Sequence, residues 1–178
     1  HSASSAASDV YKRQAYALRA LVEFRYVSKD CEKTKSFVKK AIDAGGSVDT
    51  FSIAGSIYKR CSDLKSAISF YKNALQLAPN DNGFFITKSL LAAYYQNNDL
   101  DSIERTIAPK LNVKDIDPVM LGFYSYVLLT KGKDEDAQKI FLKAKEKGLT
   151  RKRLSLFVNY KKVLDRFIEK LKPLGSLD

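Results

Sequence analysis

The chain contains one histidine, at position 1, and no tryptophan. That histidine lies in a leader expected to be non-native, and without it the chain lacks the commonest general base. No Ser-His-Asp set can be assembled, and a zinc site would have no imidazole ligand. Gly45-Gly46 lacks the following Lys-Ser/Thr of a phosphate-binding loop and ends a helical pattern rather than a strand. The carboxylates are scattered among lysines on helical faces and read as solvated surface. The chain is expected to be non-enzymatic, with no catalytic residues, no cofactor and no metal. Two cysteines in 178 residues are too few for a disulfide scaffold. No apolar run reaches the roughly 18 residues that span a bilayer. The longest candidate, 119–130, is interrupted by Gly122, Ser125 and tyrosines. Strand signals are poor throughout, and only four prolines interrupt the chain.

What is present is helical periodicity. Ile57, Leu64, Ala67, Ile68, Tyr71, Ala74 and Leu75 recur at spacings of three and four. Ser62-Asp63 lies where one helix ends and the next is capped. Pro79-Asn80-Asp81-Asn82 closes the second helix, since proline cannot continue it and Asn/Asp favour turns. Small residues Gly55, Ala67 and Ala74 alternate with bulky Phe51, Tyr58, Ile68, Tyr71 and Leu75. That alternation suits two helices in close approach with large side chains filling the flanks. A four-helix bundle shares the periodicity but does not require small residues at these places.

Over 48–81 this pattern resembles the tetratricopeptide repeat (TPR): aromatic, Leu-Gly-like pair, Tyr, then Ala, aromatic, Ala and Pro over about 34 residues. A second stretch, 118–149, repeats it with Pro118, a turn at Gly132-Lys133-Asp134, then Ala137, Phe141, Ala144 and a capping Gly148. Residues 84–117 fit less well. They carry Leu90, Leu91 and Tyr94, a turn at Asn97-Asn98-Asp99, then Ile103 and Ile107, with Pro109 cutting the helix short. Residues 15–47 show Leu18, Leu21 and Phe24, a turn near Ser28-Lys29-Asp30, then Phe37, Val38 and Ala41, ending at Gly45-Gly46. The resemblance implies an all-α, right-handed solenoid of four antiparallel helix pairs. It also places Cys31 and Cys61 one repeat apart on one edge. Two reduced thiols are expected there, with a disulfide as the alternative.

The two ends of the chain read differently. Ser4 to Gln14 is similar to an in-frame translation of a transposase sequencing adaptor, so 1–14 is expected to be a non-native, dispensable leader. The chain is then a fragment of a longer bacterial protein of environmental origin, and its compartment is open, cytoplasmic by default. At the other end, Leu154, Phe157, Val158, Leu164, Phe167, Ile168 and Leu171 suggest one face of a long helix from Thr150. Terminal units of a solenoid must cover an apolar edge, so this helix is expected to be a cap, with 175–178 frayed. A membrane-surface helix and the first helix of a fifth repeat are the alternatives. Net charge is +11, and 150–178 holds eight Lys/Arg against three Asp/Glu. No RNA-binding motif accompanies this charge, so nucleic acid is disfavoured as a partner, as is a membrane surface.

The resemblance implies a scaffold that binds a protein or peptide in a concave groove lined by the first helices. Groove-facing candidates are Arg19, Glu23, Ser52, Ser56, Lys59, Phe85, Lys88, Tyr95, Phe123 and Tyr126. TPR domains that clamp chaperone tails use Lys, Asn and Arg, whereas the comparable places here carry Arg19, Glu23, Ile53, Phe85 and Ser89. A chaperone-tail clamp is therefore not expected. The alternative function is a helical regulatory or docking segment of a longer enzyme or sensor.

Overall fold

A computed structural model describes residues 3–23, 30–78, 84–158 and 160–177. The described residues are all-helical, without a strand, and the chain forms two compact units, 1–82 and 83–178. Phe24, Ser28-Lys29 and the Pro79–Asn82 terminator lie outside the described residues.

The first unit holds α1 (Ala3–Val22), α2 (Cys31–Asp43), α3 (Val48–Arg60) and α4 (Leu64–Leu77). Side-chain caps fix the starts of the last three. Asp30, Ser47 and Asp63 accept from the backbone N–H of Lys33, Thr50 and Ser66 at 3.1, 3.2 and 3.2 Å. The core gathers Ala20, Phe37, Val38, Ala54 and Ile57, flanked by Tyr16, Leu21, Ile53, Tyr58 and Phe70. Leu18, expected in this core, is exposed instead. Ala17 and Ala20, one residue before it and two after, are buried instead. Gly55 lets α3 and α4 approach, because a Cβ there would lie 2.7 Å from the Tyr71 ring. Ala67, Tyr71 and Ala74 are fully buried against it. α1 runs through the suspected leader, whose Arg13 is in hydrogen-bond contact with the Gly45 carbonyl at 2.6 Å; Tyr11 is exposed.

Cys31 and Cys61 form a disulfide, against the expectation of free thiols. Cys31 is the first residue of α2 and Cys61 the C-cap of α3. Packing of α2 on α3 brings their Cα atoms to 5.8 Å, within bridging range.

The second unit holds α5 (Phe85–Gln96), α6 (Leu100–Ile107), α7 (Pro118–Thr130), α8 (Asp134–Glu146), α9 (Arg151–Ser155) and α10 (Lys161–Leu171). Pro109 lies in a 3-10 turn that ends α6 after eight residues. Asp117 caps α7 by accepting from Val119 N–H at 2.8 Å, and Pro118 takes the first helical position. Asp134, Glu135 and Asp136 favour the N-terminus of α8 through its dipole. Ala137, Phe141 and Ala144 are buried in α8, and Gly122 of α7 meets Leu149.

The long C-terminal helix is instead two, α9 and α10. Continuing the Leu154-Phe157-Val158 stripe at helical spacing would bury Lys161, Lys162 and Asp165. The break resets the phase so that Leu164, Phe167 and Leu171 turn inward. The tail is not frayed either. Leu174 and Leu177 are buried, the Leu177 carbonyl accepts from Arg151 N–H at 3.0 Å, and Ser176 O accepts from Lys145 Nζ.

One turn recurs. Ser62, Asn98 and Gly132 each hold a left-handed backbone with φ of 62, 55 and 72°. The next N–H in each case reaches back five residues: Asp63 to Tyr58 O, Asp99 to Tyr94 O and Lys133 to Leu128 O, at 3.0, 2.9 and 3.0 Å. This is the Schellman closure of a helix C-terminus. The same closure ends α8 at Gly148 (φ 86°), where Leu149 N–H reaches Ala144 O at 2.9 Å; the three turns that close α3, α5 and α7 fall 36 and 34 residues apart (62 to 98, 98 to 132).

Candidate partner-binding surface

The ten groove candidates separate by burial. In the first unit Arg19 is exposed, its guanidinium 4.7 Å from the centre of the Phe37 ring. Ser52 is half-buried and lines a cavity of about 530 Å³ between α1 and α3, with Arg13, Leu18 and Ile53. Leu18 gives that cavity an exposed apolar wall. Ser56 is half-buried and spent on a 3.1 Å hydrogen bond with the Tyr71 hydroxyl. Glu23 and Lys59 are buried, contrary to their assignment to an open groove. Glu23 accepts from Lys33 Nζ at 2.6 Å. Lys59 is only 3% exposed, and burial, aided by the charge of Arg60, pulls its amine down to about 8.

In the second unit the pattern follows from α10. Phe167 is fully buried and its ring touches those of Tyr95 (5.0 Å), Phe123 (5.1 Å) and Tyr126 (4.8 Å, stacked). Tyr95 also donates its hydroxyl to the Val163 carbonyl at 3.4 Å. Burial, reinforced by Tyr126, pushes the Tyr95 phenol above its ordinary value. Tyr95 and Phe123 are thus core residues, and Tyr126 is half-buried. The face of α5 and α7 expected to meet a partner is covered by a helix of the same unit. Sequence periodicity identified the apolar stripe of α10 but not the surface it covers.

Two candidates remain at the N-terminal end of α5. Phe85 is exposed and meets Phe157 edge-on at 5.6 Å. Lys88 is buried, with its amine 2.6 Å from Asp117 Oδ2 and 4.9 Å from the Phe157 ring centre. Both line a cavity of about 470 Å³ that also includes Val119, Arg153, Leu156 and Phe157. Periodicity had not marked Arg153 or Leu156 as site residues. They became visible only once α9 broke from α10.

Among the described residues no three His, Cys, Asp or Glu side chains gather as a metal site, and no helix is long and apolar enough to cross a membrane. Comparisons of the chain with protein-family models, curated proteins and solved structures find no match.

Proposed function

We propose that the chain is a TPR-like scaffold of antiparallel helix pairs that binds a protein or peptide partner along its first helices. The observation that carries this reading is the recurring Schellman turn at 62, 98 and 132, whose spacing fits a 34-residue repeat. Small residues support it. Gly55, Ala67 and Ala74 sit at the contact of α3 with α4, and Ala137 and Ala144 are buried in the pair formed by α7 and α8. Such pairs cannot bury their apolar faces alone, so they stack and leave one row of helices to meet ligands. The α1/α3 cavity, with Leu18 exposed at its wall, is the open first-helix surface of the first unit.

Selection of displayed peptides on the intact chain tests this. Enriched peptides should lose binding to Leu18→Asp, on the exposed face of α1, or to Leu156→Asp, at the exposed end of α9 beside the start of α5, while circular dichroism stays unchanged. Peptides indifferent to both substitutions, or no enrichment at all, would refute it.

The disulfide favours an envelope or secreted setting over the cytoplasm, because reducing compartments keep thiols free. Thiol titration of protein made in the periplasm and in the cytoplasm of one host tests this. More soluble and more uniformly oxidised periplasmic protein supports it; equal yield from fully reduced protein counts against it.

A further inference from the structure

We infer that the cavity bounded by α5, α7 and α9 is a docking site for an acidic peptide bearing a bulky apolar side chain. This rests on the reading of the chain as a peptide-binding scaffold and adds the site and the ligand's chemistry.

Two large apolar side chains stand open at its rim: Phe85 is 56% exposed and Leu156 is 66% exposed. Exposed aromatic and aliphatic groups flanking one concavity are the mark of an apolar anchor pocket. Phe157 forms its wall, held by the Phe85 ring and the Lys88 amine. The volume, about 470 Å³, admits one large side chain and the adjoining backbone.

Charge selects the ligand's sign. Asp117 is the acidic group of the lining, and it is already engaged with Lys88 at 2.6 Å. Arg153 has no carboxylate within ion-pair distance among the described residues. Its Nη1 donates to the Lys147 carbonyl at 3.4 Å, which orients the guanidinium at the cavity edge. The remaining nitrogens are then available to a carboxylate, for which the guanidinium fork is suited. The site offers a peptide an apolar socket beside an uncompensated cation. A basic peptide would meet repulsion, and a purely acidic one would leave the apolar rim unused.

The experiment uses the intact oxidised chain and three fluorescein-labelled dodecapeptides: acidic with a central Leu, the same with Ser for Leu, and a lysine-rich peptide keeping the Leu. Fluorescence polarisation should show saturable binding of the first, at least tenfold tighter than the other two. Leu156→Asp and Arg153→Glu, both at exposed positions, should each weaken it at least tenfold with an unchanged melting temperature. Leu18→Asp should leave it intact. Loss on Leu18→Asp alone would move the peptide to the first unit, sinking this assignment while sparing the scaffold reading. Equal binding of the Ser peptide would reduce the effect to charge and overturn the anchor pocket. Tighter binding of labelled oligo-dT than of the acidic Leu peptide would overturn it in favour of a nucleic-acid surface. No binding of the first peptide overturns it outright.

Discussion

Phe167→Ala removes the ring on which the core of the second unit closes. Phe167 is fully buried, and three aromatic partners lie within 5.1 Å between ring centres. Truncating a buried phenylalanine costs about 3–5 kcal/mol when the site collapses only in part. Aromatic pairs add roughly 0.5–1.5 kcal/mol each, though three that share one ring do not simply add. Collapse here is opposed by the Tyr95 and Tyr126 rings, which meet edge-on at 5.0 Å and hold the cavity open. We therefore expect a loss near 4 kcal/mol. For a unit of this size that is a drop of roughly 15–30 °C in its unfolding transition. Calorimetry on the intact chain would resolve the transition, with Leu142→Ala on the exposed face of α8 as a control that costs under about 0.5 kcal/mol. A loss below about 1 kcal/mol for Phe167→Ala would refute the packing of α10 on α5 and α7.

Ala67→Glu should cost about 3 kcal/mol or more by urea denaturation, since it overpacks a fully buried helix contact and buries a charge, while exposed Lys65→Ala stays within about 0.5 kcal/mol; equal small effects would break the repeat register. Replacing both cysteines by serine opens a loop with a sequence separation of 30. The chain-entropy estimate is about 3.5 kcal/mol lost from the first unit, and a difference under about 1 kcal/mol in denaturant midpoints would contradict it. Lys59 gives a pH dependence. Its amine titrates at about 8 when folded and near 10.5 when unfolded, so between those values the unfolded chain holds a proton that the folded chain has released. Stability must then rise with pH, by on the order of 2 kcal/mol from pH 7 to 9.5 relative to Lys59→Met; an identical pH profile for the two proteins would refute the buried amine.

Helix starts and stops were legible because they are local. Asp63 and Asp99 cap within the turns read for them, Pro118 opens α7 and Pro109 ends α6. The small residues at the contacts of α3 with α4 and α7 with α8 were legible for the same reason, being set by spacing within one helix pair. Which neighbour covers which face was not. Periodicity placed Tyr95, Phe123 and Tyr126 on outward faces, and α10 then closed over them. It gave no sign that Glu23 and Lys59 sink into the fold. The sequence put Cys31 and Cys61 on one edge and left the disulfide as the alternative; what it could not supply was the packing of α2 on α3 that unites two half-buried thiols 30 residues apart. The break after Ser155 could have been read from the phase shift between Val158 and Leu164. The run of basic residues across it looked like one solvated face.

Partners are expected to bind on the first helices. Amide chemical-shift mapping of the intact chain, titrated with a peptide selected by display, tests it most directly. Perturbations should cluster on α1 and α3 around Leu18 and Ser52, or at the α5, α7 and α9 residues around Phe85 and Leu156. They should spare the exposed faces of α2, α4, α6 and α8. Perturbations confined to those second helices would contradict it.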